Sequence, residues 1–325
     1  MRPRALVFWL LLGVAVLAFV PALAEKFYVQ LVTKIMILSI FALSLDLLVG
    51  YAGLVSLGHA AYFGVAAYTL ALSAPAGDPA NFWVTLPLSL VTSALTALVI
   101  GALVVRTAGV YFIMVTLAFA QMVYYFFHDT RVAGGSDGAY IDARPSIGVA
   151  GIDLADDLQF YYLVLILLVG VFVLLAVILR SPFGRALQGI KANEQRMRAL
   201  GYATRRYKLA AFVLAGTLAG LAGYLAAAKE GYVNPELMAW HQSGVVLMML
   251  ILGGMGTLFG AVIGTFSYVL LQEWFSTITK HWPLLMGGFI IVTVLLFPQG
   301  LAGLPQTLSA RWRSGTGLKD EDGDA

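Results

Sequence analysis

The chain has 325 residues, of which 60% are hydrophobic and 11% charged, and its mean hydropathy is 0.87. No soluble globular domain has that composition. The net charge of +3 says less than its distribution: basic residues border apolar runs and are not interleaved with aromatics, which excludes a nucleic-acid partner. The absence of cysteine excludes disulfides, thiol catalysis and cysteine metal sites.

Apolar segments fall near 5–23, 31–49, 58–73, 82–104, 109–127, 159–179, 208–228, 244–256, 260–275 and 283–301. A spanning helix needs about 20 mainly apolar residues, so the pattern predicts an all-α, polytopic helical membrane protein with about 8–10 membrane segments. Arg2, Arg4, the apolar run Ala5 to Val20 and Ala22-Leu23-Ala24 resemble a cleavable signal sequence. The run exceeds the usual apolar core of about 7–15 residues, which favours a retained first span.

The second segment carries Asp46 close to its end, where interfacial solvation competes with a direct role that needs a backbone donor or His59 as partner. It leads into GYAGLVSLGHAAYFGVAAY, residues 50–68. Two readings stand side by side here. Small residues let membrane helices pack closely. Alternatively, the stretch from Gly50 to Ser56 is a helix break, and Gly50, Tyr51, Gly53, Ser56, His59 and Gly64 lie along a substrate path. Breaks of this kind, at 50–58 and again at 253–260, form re-entrant or discontinuous helices only where protein or a water-filled cavity surrounds them.

With the N-terminal arginines inside, six crossings return the chain to the cytoplasm at Arg180 and place 128–158 outside. The outer segment has six aspartates against two arginines, as an external loop should, and its glycines and prolines predict irregular structure that contacts an external partner or caps a pathway. From Arg180 to Lys208 eight basic residues face one acidic residue, Glu194. Such a segment is a positive-inside topology signal, or a docking surface for a cytoplasmic protein built on one interfacial helix over 185–200. Gly216, Gly220 and Gly223 then form a packing face. Gly253, Gly254, Gly256 and Gly260, continued by Gly264, mark close helix packing or a second break. Four further segments return the chain to the cytoplasm, ahead of a tail over 311–325, acidic from Asp320 to Asp324, that reads as disordered.

Nothing predicts an enzyme. The chain has no phosphate-binding glycine loop ending in Lys-Ser or Lys-Thr, so it does not hydrolyse ATP itself, and it has no HExxH metal motif. Ser56 lies three residues before His59, on one face if the segment is helical, but a GxSxG elbow is missing. Glycine-broken helices also serve ion-coupled secondary transporters. A docking helix combined with few intramembrane carboxylates argues against that class.

Three motifs in order carry a resemblance: the run from Leu47 through residue 68, SPFGRALQGIKANEQRMRALGYATRRYKLAAFVLAGTLAGLAG over 181–223, and LILGGMGTLFGAVIGT over 250–265. Together they resemble the LivM-type permease of branched-chain amino-acid ABC importers. The resemblance implies a permease domain over 1–310 in a bacterial inner membrane, with both termini cytoplasmic. It implies three kinds of partner besides the bilayer: a second related permease, two cytoplasmic ATPases and an extracytoplasmic solute-binding protein. No cofactor is expected on this chain, because ATP is used by the partner subunits. The segment 180–208 becomes the ATPase-coupling loop, with Phe183, Gly184, Arg185, Asn193, Glu194 and Gly201 at its matching positions. The family often has an acidic residue soon after Ser243, where this chain reads Gly244-Val245. Relatives that take urea, amides or aromatic compounds therefore stand as alternatives on substrate.

Overall fold

The computed structural model describes residues 3–23, 25–75, 77–131, 134–148, 153–297 and 300–303. The tail expected over 311–325 lies outside the described residues. Every predicted apolar segment is helical: α1 (Pro3–Leu23), α2 (Lys26–Asp46), α3 (Ala60–Ser73), α4 (Phe82–Val104), α5 (Val110–Asp129), α6 (Asp157–Arg180), then α9 (Thr204–Glu230), α10 (Trp240–Gly253), α11 (Leu258–Ile278) and α12 (Trp282–Leu296). Between α6 and α9 lie two short helices, α7 (Pro182–Ala192) and α8 (Glu194–Ala199).

Among the described residues seven helices are long and apolar enough to cross a membrane, which makes the chain a multi-pass membrane protein. Helices α3 and α10 have 14 residues each. At a rise of about 1.5 Å per residue each reaches only about 21 Å, short of the roughly 30 Å hydrocarbon layer. Both short helices adjoin a glycine-rich break, so the missing length is taken up by non-helical chain.

Helix α2 is the axis of the bundle, with nearly all of its second half buried. Helix α9 packs along it and along α3 and α4 with its small-residue face. A Cβ at Gly216 would meet Ala97 and Tyr62, at Gly220 it would meet Ser93, and at Gly223 it would strike the Phe63 backbone carbonyl. Close approach matters because lipid is as apolar as the side chains, so helices gain through packing and hydrogen bonds instead of escape from water. Ser93 Oγ supplies such bonds, lying 2.9 Å from Gly216 O and 3.1 Å from Tyr62 O.

At the end of the bundle opposite α7 and α8, the segment 128–158 is pinned to its surroundings. A two-residue strand β1 (Ala139–Tyr140) pairs antiparallel with β2 (Tyr232–Val233), and Ser146 N donates to Ala80 O at 2.7 Å. This ribbon is the only pair of strands among the described residues of an otherwise all-α fold, and it uses the residues that continue α9 after Gly231 ends it at φ 67°.

The single helix expected over 185–200 is instead two. Asn193 is extended, at φ −160° and ψ 99°, and its side-chain oxygen accepts the Arg196 N–H at 2.9 Å. An asparagine offered as an N-cap ends one helix and starts the next.

Candidate functional site at the meeting of two helix breaks

The first break grows out of α2 without a loop. Residues Leu47–Ala52 widen into a π-helix that Gly53 ends in the left-handed region, at φ 71°. A wide turn of this sort is common where helices serve a function. Residues 53–59 are not helical, so Ser56 and His59 do not share a helix face as the spacing allowed. Ser56 Oγ accepts the Gly58 N–H at 3.3 Å, whereas His59 Nε2 is 2.9 Å from Ser44 Oγ on α2. The two side chains are therefore not a catalytic pair. Ser44 Oγ donates to Phe41 O at 2.6 Å, which leaves it to accept from His59 Nε2–H. The imidazole is fully buried and stacks on Phe41 at 5.6 Å between centroids.

The second break lies between α10 and α11. Gly254 (φ 108°) and Gly256 (φ 80°) hold conformations that side-chain-bearing residues rarely adopt. Thr257 closes the break from the far side, with its Oγ1 2.9 Å from Gly254 O and accepting the Gly260 N–H at 3.2 Å. Close packing and interruption, the two readings of this cluster, both hold: a Cβ at Gly253 would strike Gly260, and one at Gly264 would strike Met249 O and Gly253.

The two breaks touch. A Cβ at Gly50 would collide with an Asp46 carboxylate oxygen and with the backbone of Gly256. Asp46 Oδ1 accepts the Gly256 N–H at 2.8 Å, and the Tyr51 hydroxyl faces the backbone N–H of Leu258. Asp46 is fully buried, so the interfacial solvation considered for it is replaced by the backbone donor named as the alternative. Gly64, on the predicted path, serves packing, since a Cβ there would strike Met238, and so does Gly58 beside it, where a Cβ would strike Thr116 O.

Beside this junction is an open, mainly apolar chamber of about 450 Å³, lined by Val49, Gly53, Val55, Lys191, Leu247, Ile251 and Met255. Gly53 is thus the member of the predicted path that lines it directly; Ser56, His59 and Gly64 do not. Lys191 comes from α7. Its stem lies against Gly53, and its Nζ donates to Gly50 O at 2.6 Å, taking a carbonyl that the π-turn leaves open. No motif singled out Lys191 among the eight basic residues of its segment.

The rest of that segment is braced and not merely solvated. Ser181 caps α7, Pro182 occupies its first turn, and Gly184, Leu187 and Ile190 turn inward. Gly184 sits where a Cβ would strike the Leu179 backbone, and Phe183 stacks on Tyr207 at 5.7 Å. Glu194 accepts from Arg198 Nη2 at 2.6 Å, from Thr204 Oγ1 at 3.1 Å and from Lys208 Nζ. Burial pushes the Glu194 carboxyl up, but these three donors outweigh it and hold the group below the usual glutamate range. Glu194 is therefore an internal brace, while Arg185, Asn193 and Gly201 are exposed.

The family described as branched-chain amino acid transport system / permease component matches residues 27–297. The high-affinity branched-chain amino acid transport system permease protein LivM of Salmonella typhimurium is 32% identical over 310 residues, covering 88% of this chain and 72% of the relative. LivM of Escherichia coli shows the same identity and coverage. The autoinducer 2 import system permease protein LsrC of Photorhabdus laumondii is 28% identical over 128 residues, 37% of this chain and 38% of the relative. No solved structure matches the chain.

Proposed function

The chain belongs to the family of branched-chain amino acid transport system permease components, and on that premise we propose that it is the membrane-crossing subunit of an ABC importer for branched-chain or related amino acids. A second related permease completes the pathway, two separate cytoplasmic ATPases power it, and an extracytoplasmic binding protein supplies the solute. The basic segment faces the cytoplasm in a bacterial inner membrane, and both termini lie on that side.

The observation that carries this reading is the Lys191 bond to Gly50 O. Through it the helix α7 holds the end of the first break, and Asp46 in turn holds the second break by Gly256 N–H. Displacement of α7 and α8 by an ATPase therefore moves both breaks together, along with the chamber between them. The apolar walls suit an aliphatic side chain, and burial there is favourable by about 0.8 kcal/mol per methylene. Exposed Arg185 and Asn193 present the segment to its ATPase, and buried Gly184 and braced Glu194 keep its shape.

The test is affinity purification of the tagged chain in mild detergent, followed by reconstitution and uptake of labelled leucine. Recovery of a second permease and two ATPases, with uptake that needs ATP, supports the reading. Uptake driven by an ion gradient with no ATPase bound sinks it.

A further inference from the structure

At the end of the bundle opposite α7, the N-terminal part of α2, the first turn of α6, the last turn of α9 and Arg144 line a second, partly open cavity of about 130 Å³. Its walls are polar and charged, unlike those of the apolar chamber: Gln30, Thr33, Arg144, Asp157, Lys229 and Glu230, with the Phe160 ring as an aromatic side. Arg144 lies over that ring, 5.0 Å from its centroid. Under the topology proposed above this is the external face, where solute arrives.

The hydrogen-bond capacity of the cavity is unevenly used. Arg144 Nη1 reaches Leu154 O and Ala155 O, each at 3.3 Å, and Nη2 is 2.8 Å from Asp157 Oδ1, while its Nε–H has no partner among the described residues. Lys229 has a side chain only 15% exposed, yet among the described residues its ammonium makes one bond, to Glu230 Oε1 at 2.7 Å. Two of its N–H donors have no partner among those residues. Asp157 is fully engaged, with Gln30 Nε2 at 3.0 Å and Lys26 Nζ at 3.4 Å on Oδ2. Glu230 Oε2 has no partner among the described residues, and Thr33 Oγ1, spent as a donor on Val29 O, still has lone pairs to accept with. Among the lining residues two cations, Arg144 and Lys229, balance two carboxylates, Asp157 and Glu230, so the cluster is neutral and offers spare donors beside a spare acceptor.

We infer that this cavity is an entry site for the head group of a zwitterionic α-amino acid, its carboxylate received by Lys229 and Arg144 and its ammonium by Glu230 and Thr33. The inference rests on the amino-acid transport reading and adds to it a second site, at the other end of the bundle from the apolar chamber. The lining is polar or charged apart from the Phe160 ring, so selection here is for the amino-acid head and not for an aliphatic side chain.

The test uses the whole complex in detergent without its binding protein, and three probes: labelled leucine, 4-methylvalerate, which lacks the ammonium, and 3-methylbutylamine, which lacks the carboxylate. Lys229→Met should weaken leucine and 4-methylvalerate by about tenfold or more and leave the amine unchanged, since a charge-assisted bond to carboxylate is lost. Lys229→Arg should restore both. Glu230→Gln, at a side chain 58% exposed and so tolerant of change, should weaken leucine and the amine but not 4-methylvalerate. The inference is overturned if a complex that imports leucine binds none of the probes at this stage, or if all three variants bind them as the parent does. If the assembled complex imports no amino acid at all, the transport reading itself fails, and uptake measured on the parent complex separates the two failures.

Discussion

Asp46 Oδ1 accepts the backbone N–H of Gly256 at 2.8 Å, joining two helix breaks that lie 210 positions apart in the chain. A buried carboxylate so placed does what no apolar residue can: it satisfies an amide that the break has removed from helical pairing. Asp46→Asn keeps a side-chain oxygen for that amide and should retain assembly. Asp46→Leu leaves it bare and should cost about 1–3 kcal/mol, read as a lower melting temperature of the purified complex.

Gly50 should tolerate nothing larger. A Cβ there meets an Asp46 carboxylate oxygen and the Gly256 backbone, neither of which can swing away. Gly50→Ala is expected to destabilise by about 1–3 kcal/mol, while Gly170→Ala, on open space along α6, should not. Thermal melts of the two variants side by side check this. Equal melting temperatures would show that the breaks do not touch.

How much of this junction could be read from the sequence is instructive. Periodicity and length located all ten apolar helices, because long apolar runs report burial directly, and the two glycine clusters announced a change of backbone geometry. Their contact could not be read, since nothing local in GYAG or GGMG encodes a partner 200 residues away. Asp46 was ambiguous for the same reason: a carboxylate near a span end is ordinary until its donor is known. The division of 185–200 is legible in principle, because Asn193 ahead of helix-forming residues is an N-cap signal, although its flanks on both sides are equally basic and helix-forming. Lys191 differs from its basic neighbours only in where α7 points it.

Glu194 should behave as a brace. Lys208, with a side chain 7% exposed, loses its anion in Glu194→Ala, and the uncompensated ammonium should cost a few kcal/mol. Because the carboxyl is held below its usual range, its stabilisation is present above the ordinary glutamate value of about 4.3 and is lost as pH falls through the lowered folded value. The parent complex should therefore show the same protease resistance across this segment between about pH 6 and 8. The alanine variant should be cleaved there throughout that range.

His59 fills space between Phe41 and Tyr62 with one bond to Ser44. His59→Ala should open a void and cost about 2–4 kcal/mol, by analogy with other buried large-to-small changes. His59→Phe keeps the stack on Phe41 and should still import leucine. If the phenylalanine variant assembles fully but no longer imports, His59 belongs to the solute path after all.

The central claim is that α7 drives the helix breaks through Lys191, and uptake per ATP hydrolysed tests it most directly. Lys191→Met keeps the apolar stem against Gly53 and removes only the donor to Gly50 O. In reconstituted complexes with the binding protein and leucine, the account predicts ATP hydrolysis near the parent rate with leucine imported per ATP reduced about tenfold. An unchanged ratio of leucine to ATP would contradict it.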